Sequence, residues 1–406
     1  MKVSFIWPRQ YRVVYFGITG QSLLRTYIAE DDATIYVGPR TRLNMWVALT
    51  ALVAGWWGIR GYYRAFLLLT RPTFVITLED NALEFYLSKK YLPSCTTICI
   101  QNGRRDTHSS EVGQDIWRQI HRVTTEQPPP DVVLTHGEPW SNYYRNALGA
   151  NANIKAIGSV RNNAIKQPPN IKQARVLFVS SFPNLGSDGS LESVADHVFG
   201  FWQRQPLTFQ EFFRAEGHVA AAAGVISRSL GLEFCVLGKR PQSQRGECQY
   251  FASALGNQDW KYLSSEYETS SYEQVTSGDI LVNIDSTFGY EMFARGNRVA
   301  FISCRMQTAG KPEIRDCEFA YPLVKEPSGF FWTNSDSVTE MRRVIATVAT
   351  MNTSDWDHQT KTLRRSVLTF DPGNYELCAE IESLGIRTHG PRFLATELSN
   401  PNPEKP

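Results

Sequence analysis

The chain contains a long series of short apolar runs, each of which ends in polar or glycine-rich residues before a longer helical pattern begins. This alternation is typical of βα units, in which helices connect the parallel strands of one sheet. Parallel strands are buried on both faces and therefore read as nearly continuous apolar runs, as these do. The pattern predicts an α/β protein built on parallel sheets.

The runs fall into two series, separated at residues 162–173 by a polar stretch that contains Pro168 and Pro169. Because this composition disfavours helix and strand, we place an interdomain linker there. The length of 406 residues suits two or three domains. The predicted strands are 12–16, 34–37, 73–78, 96–100, 131–134 and 154–157, then 175–179, 233–237, 280–284 and 299–302, with helices at 206–230, 287–296 and 335–352.

The charge of the chain is nearly balanced, with 42 basic and 40 acidic residues. This balance argues against nucleic acid as the main partner. The basic residues are concentrated in the first part, because residues 1–170 hold 19 Lys and Arg against 12 Asp and Glu. Such a surplus suits an anionic membrane surface or a phosphate-bearing substrate.

The seven cysteines are scattered and odd in number, which favours reduced thiols in a cytoplasmic protein over a disulfide framework. Cys95 and Cys99 lack the second pair that a zinc site requires, so no metal is predicted. The sequence also lacks GxxxxGK[ST], a GxGxxG after a strand, HExxH and GxSxG. P-loop NTPases, ordinary dinucleotide oxidoreductases, zinc hydrolases and α/β-hydrolases are therefore disfavoured.

One segment, Leu43 to Ile59, is uncharged and close in length to a membrane span. Asn44, Thr50 and two glycines dilute it, so we interpret it as a buried or interfacial helix. The aromatic and basic stretch up to Leu69 would then either rest on lipid headgroups or form part of an ordinary core. The expected location is cytoplasmic, either free or peripheral on the inner face of the membrane.

The most informative segment is Ile280 to Ala300, in which an apolar strand ends in Asp285, Ser286 and Thr287 and a helix begins at once. Free N–H groups and the helix dipole make such a start a phosphate site, and Glu291 one turn later could bind a ribose diol. The alternative is that Ser286 or Thr287 merely caps the helix.

Two cations, Lys239 and Arg240, follow the predicted strand 233–237. They either neutralise a diphosphate or a sugar carboxylate, or form a charged surface turn.

In the first series, Asp80 and Asn81 follow the strand 73–78, where a carboxylate faces the cleft of a doubly wound sheet and could act as base or nucleophile. The alternative is a helix cap. Arg104 follows the strand 96–100 and is either available to an anion or solvated in a turn. His136 and Glu138 follow the strand 131–134 and point toward the same cleft, although a lone histidine is more often structural.

Several segments together resemble bacterial surface-carbohydrate biosynthesis proteins, those that make O-antigen and capsule. The ordered series is more specific than any of its members, and it extends over residues 73–374. The matching segments are FVITLEDNALEFY, ICIQNGRR, IKAIGSVRNN, VLFVSSF, GKR with ECQYF, SYEQV, IDSTFGYEMFARGNRVAFISCR, GFFWT, SDW and FDPGN.

The resemblance implies the GT-B architecture, with two Rossmann-like domains that face each other across a cleft. It implies a first domain at residues 1–170 on the acceptor side, a second at 171–372 that binds the nucleotide sugar, and a helix and tail at 373–406. The donor site is then expected at Ser286, Thr287, Glu291, Asp285, Lys239, Arg240 and Arg305. The resemblance places Asp80, Asn81, Gln101 and Asn102 on the acceptor side, with Asp80 as the first choice of catalytic carboxylate. Arg104 on the same side, and His136 and Glu138 as further catalytic candidates, rest on their positions after strands and not on the resemblance.

These expectations describe a glycosyltransferase that needs no cofactor and moves a sugar from a nucleotide donor to a glycan or lipid-linked oligosaccharide. Related capsule enzymes that transfer Kdo and other ulosonic acids use CMP-linked donors, so the resemblance favours a CMP-sugar over UDP- or GDP-linked sugars. Two alternatives stay open: a nucleotide-sugar epimerase on the same fold, and a non-catalytic nucleotide-binding scaffold of a polysaccharide assembly complex.

Overall fold

A computed structural model of the chain describes residues 3–35, 43–104, 120, 122, 125, 127–149, 152–168, 174–185, 190–202, 205–267, 269–312, 320 and 324–394. The chain forms two compact units. The first comprises Met1–Gly103, Asp115–Val160 and Gly373–Arg392, and the second comprises Arg104–Gln114, Arg161–Pro372 and Phe393–Pro406.

The first unit is built on a parallel six-stranded sheet with the order β3-β2-β5-β6-β7-β8, beside a two-stranded parallel ribbon of β1 and β4. Its strands are β1 (Val3–Ser4), β2 (Val13–Phe16), β3 (Asp32–Ile35), β4 (Leu43–Asn44), β5 (Phe74–Thr77), β6 (Thr96–Ile100), β7 (Val132–Thr135) and β8 (Asn153–Ala156). Its helices include α1 (Gln21–Arg25), α2 (Met45–Val53), α3 (Gly58–Thr70), α4 (Ser88–Tyr91) and α5 (Glu138–Leu148).

The second unit is built on a parallel six-stranded sheet with the order β13-β12-β9-β14-β15-β16 and carries an antiparallel hairpin of β10 and β11. Its strands are β9 (Arg175–Val179), β10 (Val198–Trp202), β11 (Gln205–Thr208), β12 (Glu233–Leu237), β13 (Lys261–Leu263), β14 (Ile280–Asn283), β15 (Arg298–Ile302) and β16 (Trp332–Thr333). The remaining α-helices among the described residues are α6 (Val160–Ala164), α7 (Phe209–Ser229), α8 (Arg245–Leu255), α9 (Ser270–Gln274), α10 (Thr287–Arg295), α11 (Arg305–Thr308), α12 (Val338–Thr350), α13 (Thr353–Val367) and α14 (Tyr375–Ser383).

Both sheets are doubly wound. In the second sheet the chain starts in the middle at β9, moves outward through β12 to β13, and returns to the other side at β14. The order of strands reverses between β9 and β14, and ligands of open α/β sheets bind beyond the carboxyl ends of the strands at such a point. In the first sheet the corresponding point lies between β2 and β5.

The predicted α/β class with parallel sheets is confirmed. The central strands match the apolar runs closely, and β6, β9 and β12 have the predicted bounds. The sequence did not reveal β13 and β16, because strands of three and two residues are too short to produce a run. The segment 43–59 was predicted as one helix, but it contains α2 and the start of α3. Among the described residues, no helix is long and apolar enough to cross a bilayer.

Residues 373–392, which fall in the helix and tail expected at 373–406, belong to the first unit. The backbone of Ile28 forms a bridge with Thr388, and the Ala29 N–H donates to the carbonyl of Arg387. Lys155 also pairs with the buried Glu380 of α14. In addition, α6 occupies the start of the predicted linker at 162–173, and the longest segment of the second unit begins within this helix, at Arg161.

Trp356 of α13 holds α10 in place in the second unit. Its buried ring packs against Phe293 of α10 and against Phe331, and its indole N–H donates to the carbonyl of Gly296 at 3.0 Å. Helix α10 therefore has a fixed position at its carboxyl end.

We expect Trp356→Ala to lower the free energy of unfolding by about 3–5 kcal/mol, because it leaves a large cavity and an unpaired carbonyl. Thermal and denaturant unfolding would measure the loss. His358→Ala, on the exposed side of the same helix, should change stability by less than about 0.5 kcal/mol. Equal effects of the two variants would contradict the role given to Trp356.

Candidate functional site

Helix α10 begins directly beyond the carboxyl end of β14, at the point where the order of the second sheet reverses. Ser286 is the N-cap residue, with extended backbone angles, and its hydroxyl makes no capping hydrogen bond. The helix lies very close to the strand: a Cβ at Gly289 of α10 would be only 2.2 Å from Cγ of Asn283 in β14. The capping explanation therefore does not account for the serine at this position.

A buried ion network supports this helix start. The Arg305 guanidinium donates to both carboxylate oxygens of Asp285, at 2.5 and 2.7 Å, and to Glu216 at 2.6 Å. Its Nη1 donates to the carbonyl of Phe212 at 2.9 Å, and the Ser181 N–H donates to Glu216 at 3.1 Å. The network therefore connects α7 and α11 with the loops that follow β9 and β14.

The network shifts the pKa of each of its members. Burial alone would lower the pKa of Arg305, but the two carboxylates outweigh burial and raise it. Burial raises the pKa of Glu216 above its ordinary value, and Arg305 offsets only part of this effect. Burial also acts to raise the pKa of Asp285, but Arg305 outweighs it and holds that pKa below the ordinary value. Arg305 thus stays a cation that binds protein groups.

The loop after β12 carries Lys239 and Arg240 and is held by the buried carboxylate of Glu247. That carboxylate accepts the Lys239 N–H at 3.0 Å, the Arg240 N–H at 2.8 Å and the Tyr262 hydroxyl at 2.8 Å. The Arg240 Nη2 donates to the carbonyl of Phe182 at 3.0 Å. Burial lowers the pKa of Arg240. The two cations thus sit on a fixed turn at the carboxyl end of a strand next to β9.

Glu291 lies on α10 and is buried. Its carboxylate accepts the hydroxyl of Tyr272 at 2.6 Å. The pKa of Tyr272 is raised well above its ordinary value by burial and by the charge of Glu291. Nearby, the Arg295 Nε donates to Asn162 at 2.6 Å, and burial lowers the pKa of Arg295 to about 10. Glu291 therefore has a partner within the protein and is shielded from solvent.

Arg104, which was expected on the acceptor side, belongs to the second compact unit. Its backbone N–H donates to the Thr287 hydroxyl at 2.8 Å, and its guanidinium lies 4.7 Å from the centre of the Tyr290 ring. These contacts place an arginine beside the first residue of α10.

In the first unit, Asp80 is buried beyond the carboxyl end of β5. One carboxylate oxygen accepts the Asn102 N–H at 3.1 Å and the other accepts the Tyr144 hydroxyl at 2.5 Å. The carboxylate thereby connects the loop after β6 with α5. This geometry suits a residue that positions its neighbours.

Gln101 links the ends of β6 and β7, because its side chain donates to the carbonyl of Gly103 at 2.8 Å and accepts the His136 N–H at 2.9 Å. His136 is buried. Glu138 is exposed in the first turn of α5 and pairs with Arg145 at 2.7 Å, and Asn81 is also exposed. Of the three catalytic candidates, Glu138 is the one whose side chain reaches solvent.

Sequence analysis missed Glu216 and did not single out Glu247 and Tyr272. The sequence pattern could have indicated Glu216, because it lies on the buried face of α7 among mostly apolar residues. An acid in that position requires a buried cation. Among the described residues, no group of three or more His, Cys, Asp or Glu side chains could hold a metal ion.

Residues 98–383, well over half of the chain, match the family described as "putative O-antigen biosynthesis protein". The chain belongs to this O-antigen biosynthesis family. The resemblance noted in the sequence is thereby confirmed at the level of the family. No curated protein sequence matches the chain.

Solved structures are similar to this chain in fold. One variant of the wall teichoic acid polymerase TagF aligns with a TM-score of 0.51 at 9% identity, covering 92% of this chain and 89% of TagF. A second TagF variant aligns at 0.50 with 10% identity, covering 91% and 88%. UDP-GlcNAc 2-epimerase from Neisseria meningitidis aligns at 0.47 with 10% identity, covering 95% and 99%. The likeness to TagF confirms a GT-B-type α/β fold for this family member.

We expect Arg305→Met to lower the free energy of unfolding by about 3–5 kcal/mol at about pH 8, because Glu216 and Asp285 then lack their cation. Without the cation, the folded-state pKa of both carboxyls rises above the unfolded values. The penalty is then fully present above those raised values and is relieved as the pH falls through them, so it should be smaller at about pH 5.

Thermal unfolding of wild type and variant at both pH values measures this difference. Arg342→Met, which removes a surface arginine of α12, is the matched control and should show little change at either pH. A loss for Arg305→Met that does not depend on pH would rule out the buried ion network as its cause.

Proposed function

We propose that this O-antigen biosynthesis protein is a glycosyltransferase that moves a sugar from a nucleotide-sugar donor to a glycan acceptor. The observation that carries the proposal is the start of α10. It lies at the reversal point of a parallel sheet, and no side chain caps it. Such a helix start offers N–H groups and a positive dipole end to an anionic ligand.

The donor phosphates would lie against this helix start. The hydroxyls of Ser286 and Thr287 add donors there, and Arg104, Lys239 and Arg240 supply positive charge from neighbouring loops. In the transfer, an acceptor oxygen bonds to the anomeric carbon as the bond from that carbon to the phosphate oxygen breaks. Fixed N–H groups and cations stabilise the charge that develops on the departing phosphate.

In this proposal Arg305 and Glu291, which were both expected in the donor site, do not contact the donor but hold other site residues in place. Arg305 is surrounded by Asp285, Glu216 and the carbonyl of Phe212, so it fixes the loop that carries Ser286. Glu291 is bonded to Tyr272, so it fixes α10 against α9. We assign both residues to positioning the site. In this proposal Glu291 does not bind the ribose diol of the donor.

On the first unit, we propose Glu138 as the carboxylate that accepts the proton of the acceptor hydroxyl. It is exposed beyond the carboxyl end of β7, whereas Asp80 is buried and bonded to Asn102 and Tyr144. Asp80 and Gln101 hold the loops around it.

For the donor, we propose a CMP-linked sugar, with an ulosonic acid such as Kdo as the first candidate. This choice is supported by the resemblance of the sequence to capsule enzymes that use such donors. Lys239 and Arg240 suit a sugar carboxylate as well as a phosphate. One structure of TagF is of a variant soaked with CDPG.

A thermal-shift screen of the purified chain with CMP, CDP, UDP, GDP and ADP tests the donor site. Ligand that binds only the folded state stabilises it by about 2.7 kcal/mol at a hundredfold excess over its dissociation constant. We expect CMP to give the largest shift, and Ser286→Ala to weaken binding about tenfold without changing the melting temperature of the free protein.

Ser337→Ala is the matched control, because Ser337 is the N-cap of α12 and likewise makes no side-chain capping bond. It should bind nucleotide like the wild type. A larger shift with UDP or GDP would replace the CMP-linked donor by an ordinary hexose donor. The donor site at α10 would be refuted if no nucleotide shifted the transition.

The proposed acceptor base is tested in cells whose surface glycan depends on this protein. We expect Glu138→Gln to reduce glycan output at least about tenfold, since general base catalysis commonly contributes a factor of 10² to 10⁴. Glu340→Gln, which alters a surface glutamate paired with Arg343, should have no effect. Undiminished glycan output from a Ser286→Ala, Glu138→Gln double variant would instead favour a non-catalytic scaffold of a polysaccharide assembly complex.

Incubation with a sugar nucleotide but no acceptor separates transfer from epimerisation. A glycosyltransferase leaves the sugar configuration unchanged or hydrolyses the donor slowly. Formation of the epimeric sugar nucleotide would overturn the proposed transfer in favour of an epimerase.

A further inference from the structure

Helix α2 carries apolar side chains on both of its faces. Val47 and Ala51 are buried and pack with Ala65 of α3. On the opposite face Leu49 and Leu52 are exposed, and Val53 is 81% exposed. A helix that is apolar all round is normally covered on all sides. Among the described residues, nothing buries this outer face.

Neighbouring residues extend the apolar surface at both ends of α2. At one end, the Trp46 indole N–H donates to the carbonyl of Phe5 at 2.7 Å, and the Trp7 ring lies 5.1 Å from the ring of Trp46. At the other end, Trp57 is 76% exposed and Ile59 is also exposed. We define the amino-terminal apolar patch as residues 5–7, the outer face of α2 and residues 57–59.

The patch is accompanied by positive charge. Residues 43–78 contain three arginines and no Asp or Glu. Arg60 is exposed on α3, at 3.8 Å from Glu84, and Arg64 is exposed and stacks over the Trp56 ring at 4.1 Å. Contiguous apolar surfaces of this kind mark interaction sites. The charge indicates an anionic partner.

We propose that the amino-terminal apolar patch docks on an anionic lipid bilayer, with α2 lying in the plane of the membrane interface. Interfacial helices bury aliphatic side chains, place tryptophans at headgroup level and use Lys or Arg to attract anionic lipid. Helix α2 has nine residues, whereas a span needs about twenty. The chain would therefore lie on the membrane through this patch.

The positive charge beside the patch also favours a lipid surface over a second copy of the chain as its partner. A two-fold interface places the same patch of both copies face to face. Such an interface would gather Arg60 and Arg64 of both copies at one surface, and like charges collected there are unfavourable. An anionic bilayer neutralises them instead. This inference does not depend on the proposed function, since its test measures binding and not activity.

Flotation of the purified full-length chain with vesicles tests the proposal. We expect binding to phosphatidylcholine vesicles that contain about 30% phosphatidylglycerol, weaker binding to phosphatidylcholine alone, and a decrease with added salt. Val53→Ser with Trp57→Ser should reduce binding at least about tenfold, because both apolar anchors are lost. Arg60→Gln should reduce binding to the anionic vesicles more than to the neutral ones.

The matched control is Val225→Ser with Val338→Ser, which removes two exposed valines of the second unit. It should float like the wild type, and the melting temperatures of both double variants should stay close to that of the wild type. Absence of binding to anionic vesicles would overturn the proposal, as would undiminished binding of the Val53, Trp57 variant. If the wild type does not bind vesicles but forms a dimer in light scattering, and the Val53, Trp57 variant is a monomer, the partner of the patch is a second copy of the chain.

Discussion

The start of α10 depends on the buried cation Arg305. Arg305 holds two carboxylates that come from distant parts of the chain, Glu216 in the middle of a long helix and Asp285 directly after a central strand. Glu216 is fully buried and could not stay ionised there without this cation. Since Asp285 precedes the N-cap residue of α10, the ion network sets where the helix begins and which way its N–H groups point.

The sequence was sufficient to predict the class and the central strands, because buried parallel strands leave apolar runs such as Arg175 to Val179. It also located the helix start after β14, since a polar triplet at the end of such a run is a local feature. The ion network was not predictable in the same way. Arg305 lies 20 residues from Asp285 and 89 residues from Glu216 along the chain, and no periodic pattern connects them.

The structure distinguishes candidate site residues that are exposed to solvent from buried residues that hold the loops of the site in place. Asp80, Glu291 and Arg305 were grouped with exposed candidates on the basis of residue type and family resemblance. Each of them is buried and bonded to other protein groups, to Tyr144, Tyr272 and Asp285 respectively. A charged residue that recurs in a motif can thus serve the site by fixing a loop, and burial distinguishes this role from direct contact.

The first unit is assembled from segments that are far apart in the sequence. Its sheet lies in the first 156 residues, but residues 373–392 bond to Tyr27, Ala29, Lys155 and Val160. During synthesis the segment that completes this unit leaves the ribosome after nearly the whole second unit. The amino-terminal unit can therefore be completed only after residues 161–372 of the second unit have been synthesised.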